Sequence, residues 1–386
     1  MPGRTYSPRA VLAAASAAQA AVSFVTFGLP AIGPDLRRHF GLSLPELGGV
    51  LTANLFGAGL ALILAGIAVD RFGSRAATLA GSGLSTAGLV GAGLADSKYV
   101  LFGALLVSGI GASVVPVAGA GALFRVFRPA RRAFALGVRQ TAVPLGGTIA
   151  AAAMPALHAL AGIHLPLFVG AAAIGTTGTA FAIVADYEPP VTSASGGFRS
   201  ILRAPGMQRL LIVAAFYIVV LQAVLVYTVP AARAFGLSAF AAGATYFAVN
   251  VTAMAARLVW GRVADWGEGA RRAQTLFEVG VVAAVGAVVF TFALHAGAAA
   301  VIPAAVLFGF GALGWNALVY VSAGERTAPE LAGRSVAFAA TVVFLLSALC
   351  TPLLGALADH AGWDVFWGTT AGLAAAGALI AATLHR

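Results

Sequence analysis

Long apolar runs, each closed by a short knot of charge, proline or glycine, recur along this chain. The first six lie near residues 10–33, 46–69, 77–95, 99–123, 133–158 and 164–185. A polar stretch, DYEPPVTSASGGFRS (186–200), intervenes. Six more runs follow near 207–232, 238–263, 273–295, 298–322, 334–359 and 362–384. An α-helix rises about 1.5 Å per residue, so about 20 apolar residues cross the hydrocarbon of a bilayer. The runs have that length. The pattern predicts an all-α membrane protein of twelve transmembrane helices in two six-helix, pseudo-symmetric halves, residues 1–185 and 207–386, joined by a linker over 186–206.

Composition agrees. Mean hydropathy is +0.94, and 9% of residues are charged, against about a quarter in soluble domains. No soluble core hides so much apolar surface, so lipid is the solvent for most of it. The first run resembles a secretory signal, because Arg4 and Arg9 precede an alanine-rich stretch and Ala18-Gln19-Ala20 has the form of a cleavage site. It continues apolar to Gly33, long enough to span, and is expected to be the first transmembrane segment.

Charge then orients the chain. With both termini cytoplasmic, the inner loops, tails and helix ends hold 18 of the 23 basic residues. The outer loops hold Arg37, Arg38, Lys98 and Arg233, and Arg139 lies within a run. This asymmetry predicts a multi-pass protein of the inner or plasma membrane with termini and linker in the cytoplasm. The net charge of +10 is then topological, and no nucleic-acid partner is expected. A single cysteine, Cys350, excludes an intramolecular disulfide framework, and the six histidines contain no H-x-x-x-H pair. No metal site and no cofactor is expected.

The halves repeat each other. At a shift of 195, FGLS at 40–43 falls on FGLS at 235–238, Gly48 on Gly243, Ala53 on Ala248, Ala58 on Ala253, Ala61 on Ala256, Gly66 on Gly261 and Asp70 on Asp265. Parallel repeats of this kind build secondary transporters, whose substrate site lies between the halves near the midplane.

The second run ends in GIAVDRFGSR, and Gly66, Asp70, Arg71, Gly73 and Arg75 match in full the G-x-x-x-D-R-x-G-x-R loop between the second and third helices of the major facilitator superfamily, which this chain resembles. The second copy keeps Gly261 and Asp265 but has Trp266 for the first arginine. FRPARRAFALG (127–137) is similar to the family's pattern between helices four and five. GWNALVYVSAGERTAPELAGRS (314–335) resembles helix ten and its loop in the small-anion and cyanate-type branches. The resemblance covers the whole chain and implies an alternating-access transporter.

Elementary electrostatics gives the motif a purpose. Asp70, at the end of the second run, can accept from the unpaired N–H groups that begin a neighbouring helix, where the dipole also favours an anion. In the family that neighbour is helix eleven, which would start here near Arg334, and the contact latches the cytoplasmic side. Gly66 and Gly73 are expected to let backbones approach closely, and Gly261 is counted with Asp265 in the second copy of the gate. Arg71 and Arg75 either anchor to the interface or simply mark the cytoplasmic side.

Ionisable residues inside spans are candidate functional groups. Arg139 in the fifth run and Arg257 in the eighth each lie about 9 Å inside the cytoplasmic boundary at 1.5 Å per residue. Each either snorkels to the headgroups, or binds an anion, and Arg257 has the further option of an acid in the gate. Asn250 lies two turns before Arg257, Tyr217 and Gln222 sit in the seventh run, and Asn316 in the tenth. Gln19, Gln140, Asn54 and Trp315 are further polar company, although any single amide can equally be an interhelical hydrogen bond. An arginine fork suits carboxylate, nitrate or cyanate-like anions. No acid lies mid-span in runs one, four, seven or ten, and Glu278 reads as a gate ion-pair partner. The expected function is movement of a small anionic solute by a monomer embedded in lipid. Drug efflux is the alternative, faintly suggested by TAVPLGGT (141–148), and a non-transporting receptor is a further one. Without a nucleophile–base pair or paired mid-span carboxylates, an enzyme is not expected.

Overall fold

The computed structural model describes residues 6–127, 129–185, 198–265, 269–327 and 331–384. Every regular element among them is helical: α1 (Pro8–Gly28), α2 (Gly33–Phe40), α3 (Leu44–Gly93), α4 (Lys98–Ala112), α5 (Val114–Val126), α6 (Pro129–Ala161), α7 (His164–Val184), α8 (Phe198–Leu202), α9 (Met207–Ala234), α10 (Ala239–Asp265), α11 (Gly269–Ala296), α12 (Ala298–Ala312), α13 (Asn316–Glu325) and α14 (Ala332–Ala381). Ten stretches are long and apolar enough to cross a membrane. One of them, Ser335–Ala381, has 47 residues, about 70 Å of helix and more than two hydrocarbon thicknesses. It bends at Gly362, where φ is 79°, and so makes two spans. α3 likewise bends at Gly73 (φ 80°), and its residues 74–93 make the twelfth. Both bends need a backbone conformation that glycine alone adopts cheaply. The fold is the expected all-α membrane bundle.

Several spans are less continuous than their apolar patterns suggest. The first becomes a 3-10 turn over Leu29–Ile32 before α2. The fourth is interrupted between α4 and α5, at Ser113. Pro116 has no N–H to donate to the carbonyl of Ala112, one helical turn back, so the ladder fails there. The tenth is interrupted between α12 and α13, within the glycine-rich GFGALGWN. Hydropathy is blind to such breaks because the residues that cause them are themselves apolar or small.

The chain forms two compact units, residues 1–41 with 50–192, and residues 42–49 with 193–386. In the first, α1 packs on α6. A Cβ at Gly28 would meet that of Ala150 at 2.6 Å, and one at Gly146 would stand 2.3 Å from Ala20 O, so glycine sets the closeness of this pair. Buried hydrogen bonds join Thr26 to Asn54 (3.0 Å), Asn54 to Ser108 (3.1 Å) and Ser108 to Ser85 (3.0 Å). Asn54 is therefore a structural amide linking α3 to α1 and α4. In the second unit α9 packs on α14 and α11 on α12 and α14, around a ring cluster of Phe290, Phe308, Phe366 and Trp367.

The FGLS repeat is visible in the backbone. Gly41 (φ 62°) and Gly236 (φ 81°) both leave a helix through the left-handed region. Ser43 and Ser238 then both cap the next one, accepting from Glu46 N (3.3 Å) and Ala241 N (3.1 Å). Only the first copy completes a capping box, Glu46 accepting from Ser43 N at 2.9 Å.

Candidate functional site

In the second unit, Arg257 lies on α10, half-buried, with Nε enclosed and without an acceptor. Tyr320 of α13 is its electrostatic neighbour. No carboxylate pairs with it among the described residues, which do not include the side chains of the gate acids Asp70 and Asp265. One helical turn before Tyr320, at the start of α13, Asn316 has an Oδ1 that is buried and unpartnered, and Trp315 beside it has an unpartnered Nε1. α10 approaches the α12–α13 break closely: Trp260 donates to Phe310 O at 2.9 Å, and a Cβ at Gly314 would lie 2.4 Å from the Trp260 ring. The break thus has a packing role and leaves polar atoms unsatisfied beside it. Tyr320 is the residue sequence reading missed; its tyrosine at i+4 from Asn316 is the signal that was there to use.

The other predicted residues of this unit are engaged elsewhere. The Tyr217 hydroxyl donates to Leu276 O at 2.6 Å, and its ring fills the space left by Gly280 and Gly377. Gln222 donates to Thr351 Oγ1 at 3.0 Å. Asn250 donates to Tyr246 O at 3.0 Å, one turn back on its own helix. Glu278 forms an ion pair with Arg271 of its own helix α11 at 3.0 Å, not a pair across a gate.

In the first unit Arg139 on α6 is 5% exposed. Its Nη1 donates to Gln19 Oε1 of α1 at 3.2 Å, while Nε is buried without an acceptor. A Cβ at Gly119 of α5 would stand 3.0 Å from Nη1, so the missing side chain there makes room for the guanidinium. Gln140, its neighbour in sequence, is exposed.

The loop motif is placed as follows. Gly73 makes the α3 bend, and Arg71 and Arg75 are exposed, Arg71 over the Phe72 ring at 5.5 Å. The side chains of Asp70 and Asp265, like Trp266 and residues 186–197, lie outside the described residues. One expectation is corrected: a Cβ at Gly66 would meet nothing within 4 Å, so this glycine does not serve close packing in this structure, and its counterpart Gly261 is equally open. Next to Gly73, buried Ser74 accepts from Arg125 at the end of α5. That bond ties the motif's turn to the next cluster of basic residues, which hydropathy could not reveal.

Comparison with known proteins places this geometry. The family model described as Major Facilitator Superfamily matches residues 15–351. No curated protein matches the sequence. Among solved structures, the POT-family transporter PepTSo superposes with a TM-score of 0.80 at 12% identity, covering 98% of each chain. The nucleoside transporter NupG gives 0.78 at 13% identity, over 98% of this chain and 100% of that one. A D-xylose–proton symporter gives 0.76 at 15% identity over 97% of both. Those likenesses establish the fold, and the family match extends over most of the chain. This multi-pass membrane protein belongs to the major facilitator superfamily of transporters.

Proposed function

We propose that the chain moves a small organic or inorganic anion by alternating access, with Arg257 as principal ligand and Arg139 as the second. The observation that supports this reading is the condition of the two guanidiniums. Each keeps Nε buried without an acceptor, and neither has a carboxylate partner among the described residues. A cation inside a span costs a few kcal/mol or more unless something compensates it. A bound anion supplies that compensation, and a planar two-donor fork matches carboxylate, nitrate or cyanate-like groups. Asn316 and, through its Oδ1, Asn250 are the proposed polar company, while Tyr217 and Gln222, whose hydroxyl and Nε2 are already bonded, support the wall. The same arginines disfavour the lipophilic cations that a drug exporter carries.

The proposal includes an orientation and a gate. Both termini face the cytoplasm at the plasma membrane, and a monomer works through two halves, residues 1–185 and 207–386, joined by the 186–206 linker. Asp70, with Gly66, Arg71, Gly73 and Arg75 around it, latches the cytoplasmic side at the start of α14, and Asp265 with Gly261 is its weaker copy. The orientation is supported by the asymmetry of the arginines.

The test is a thermal-shift screen of the purified protein with small carboxylates, inorganic anions and lipophilic cations. It is followed by uptake of the stabilising anion into proteoliposomes. A ligand at a hundred times its Kd stabilises the folded state by about 2.7 kcal/mol. Stabilisation by cations alone, with no anion taken up, rejects the anion reading in favour of drug efflux.

A further inference from the structure

The Gly-x-x-x-Asp turn occurs a third time. Gly355, Asp359, His360 and Gly362 repeat the spacing of Gly66, Asp70, Arg71 and Gly73. The backbone repeats with it. α3 and α14 each contain 50 residues, and each bends at the last glycine of the turn, Gly73 at φ 80°, ψ 159° and Gly362 at φ 79°, ψ 171°. The two long helices are built to one plan, although the sequence shift that aligns these turns differs from the one that aligns FGLS.

What Asp359 does is visible. Its Oδ2 accepts from Leu44 N at 3.0 Å. Leu44 is the first residue of α3, where N–H groups have no intrahelical acceptor and the helix dipole favours an anion. Ser43 caps Glu46 N and leaves Leu44 to Asp359. The surrounding seam is tight. A Cβ at Gly355 would stand 2.5 Å from Leu44 O and 2.7 Å from Pro45 N. One at Gly48 would stand 2.3 Å from the Tyr227 hydroxyl, which donates to Thr351 O at 2.7 Å. In keeping with this, residues 42–49 cluster with the second compact unit while α3 from Val50 onward clusters with the first.

We infer that Asp359 is a second latch, fastening the first turn of α3 as Asp70 is proposed to fasten the start of α14. The inference rests on the alternating-access reading above. Leu44 and Gly73 are about 40 Å apart along α3, so the two latches serve opposite membrane faces. In alternating access the faces open in turn, so the Asp359–Leu44 contact holds while its own face is closed and parts when that face opens. Asp359 is therefore a positioning residue: it sets which face is open and does not touch the solute.

The test reads accessibility without any substrate, so it stands or falls separately from the choice of anion. In a Cys350→Ser background, Leu47→Cys puts a reporter at a position now 0% exposed in the first turn of α3, and a membrane-impermeant maleimide labels it. Asp359→Ala should raise the labelling rate about fivefold, and Asp359→Asn, which keeps an acceptor but loses the charge, by less. Gly355→Ala opens the same seam from the other side and should raise it too. Gly243→Ala, where an added Cβ would meet nothing within 4 Å, should leave labelling unchanged. Parent-like labelling in Asp359→Ala and Gly355→Ala overturns the latch. So does an equal rise in Gly243→Ala, which would mean general loosening. If the alanine variants misfold, Asp359→Asn decides alone, and labelling at the parent rate overturns the inference.

Discussion

Two arginines lie inside apolar spans, one in each compact unit, and they are housed differently. Arg139 is 5% exposed, gives one Nη1 hydrogen bond to Gln19, and occupies space that Gly119 leaves open. Arg257 has no amide or carboxylate acceptor among the described residues; only Tyr320 is its electrostatic neighbour. A cation with a built housing can be part of the fold as well as of a site. A cation without one depends on something that arrives. The difference makes Arg257 the principal proposed ligand and gives Arg139 a mixed role, and substitutions can separate the two.

The largest effect is expected at Arg257. Arg257→Gln should abolish anion uptake or exchange in proteoliposomes while expression and thermal stability stay near those of the parent, because no folded-state bond is lost. Arg257→Lys keeps the charge but loses the planar fork, so transport should fall although the charge survives. If both variants transport normally and only insertion or stability suffers, the arginine is snorkelling and the comparison breaks. Arg139→Gln should behave otherwise. It removes a bond from a charged donor, on the order of 1.5–3 kcal/mol, and relieves a buried charge, so stability and anion affinity should both change. A pure affinity loss with unchanged melting would show that Arg139 is as free for ligand as Arg257.

The proposed latch at Asp70 should give a smaller and different effect. Loss of one anionic acceptor at a helix start costs on the order of 1 kcal/mol, enough to redistribute states separated by a few kcal/mol. Asp70→Asn should therefore slow turnover and change labelling from the two sides of the membrane, yet leave anion affinity at either arginine intact. Transport at the parent rate with unchanged accessibility would remove the latch. Lost affinity would couple the turn to the arginines and blur the distinction between them.

How much of this was legible depends on range. The spans were, because hydrophobic length is a local property and lipid enforces it. So was the family, through the motif at Gly66 to Arg75 and the FGLS repeat, whose left-handed glycines and serine caps are local backbone features. The breaks at Ser113 and before Asn316 were not, since small and apolar residues hide them from hydropathy. Matched residues also diverge in use. Gly48 and Gly243 align, yet a Cβ at Gly48 would collide with Tyr227 while one at Gly243 would meet nothing within 4 Å. Tyr217 and Gln222 look like cavity polars in a one-dimensional reading, and only the packing of α9 against its neighbours shows the Tyr217 hydroxyl and Gln222 Nε2 already bonded. The Asp359 turn escaped because its partner, Leu44, is 315 residues away.

The smallest effect is expected at Gly119. A Cβ there would meet Arg139 Nη1 at 3.0 Å and Cδ at 3.5 Å. The nearest atom is the end of a flexible side chain, so the guanidinium can yield by a few tenths of an ångström without moving backbone. Gly119→Ala should therefore cost under about 1 kcal/mol in stability, the range of a mild overpacking. The displacement still pushes Arg139 off the geometry that reaches Gln19. If that geometry presents the cation to the solute, KM for the anion should rise about twofold to threefold with the maximal rate nearly unchanged, as expected when uniform binding is lost. If Arg139 is purely a structural cation, the same substitution should lower the melting temperature slightly and leave KM where it was. No comparable substitution is expected to act on Arg257, which has no glycine cradle among the described contacts. An Arg257→Gln background should then hide any effect of Gly119→Ala on transport while leaving its effect on melting in place. A KM shift with unchanged melting would give Arg139 a direct share in binding, and a melting shift with unchanged KM would leave Arg257 as the sole arginine ligand.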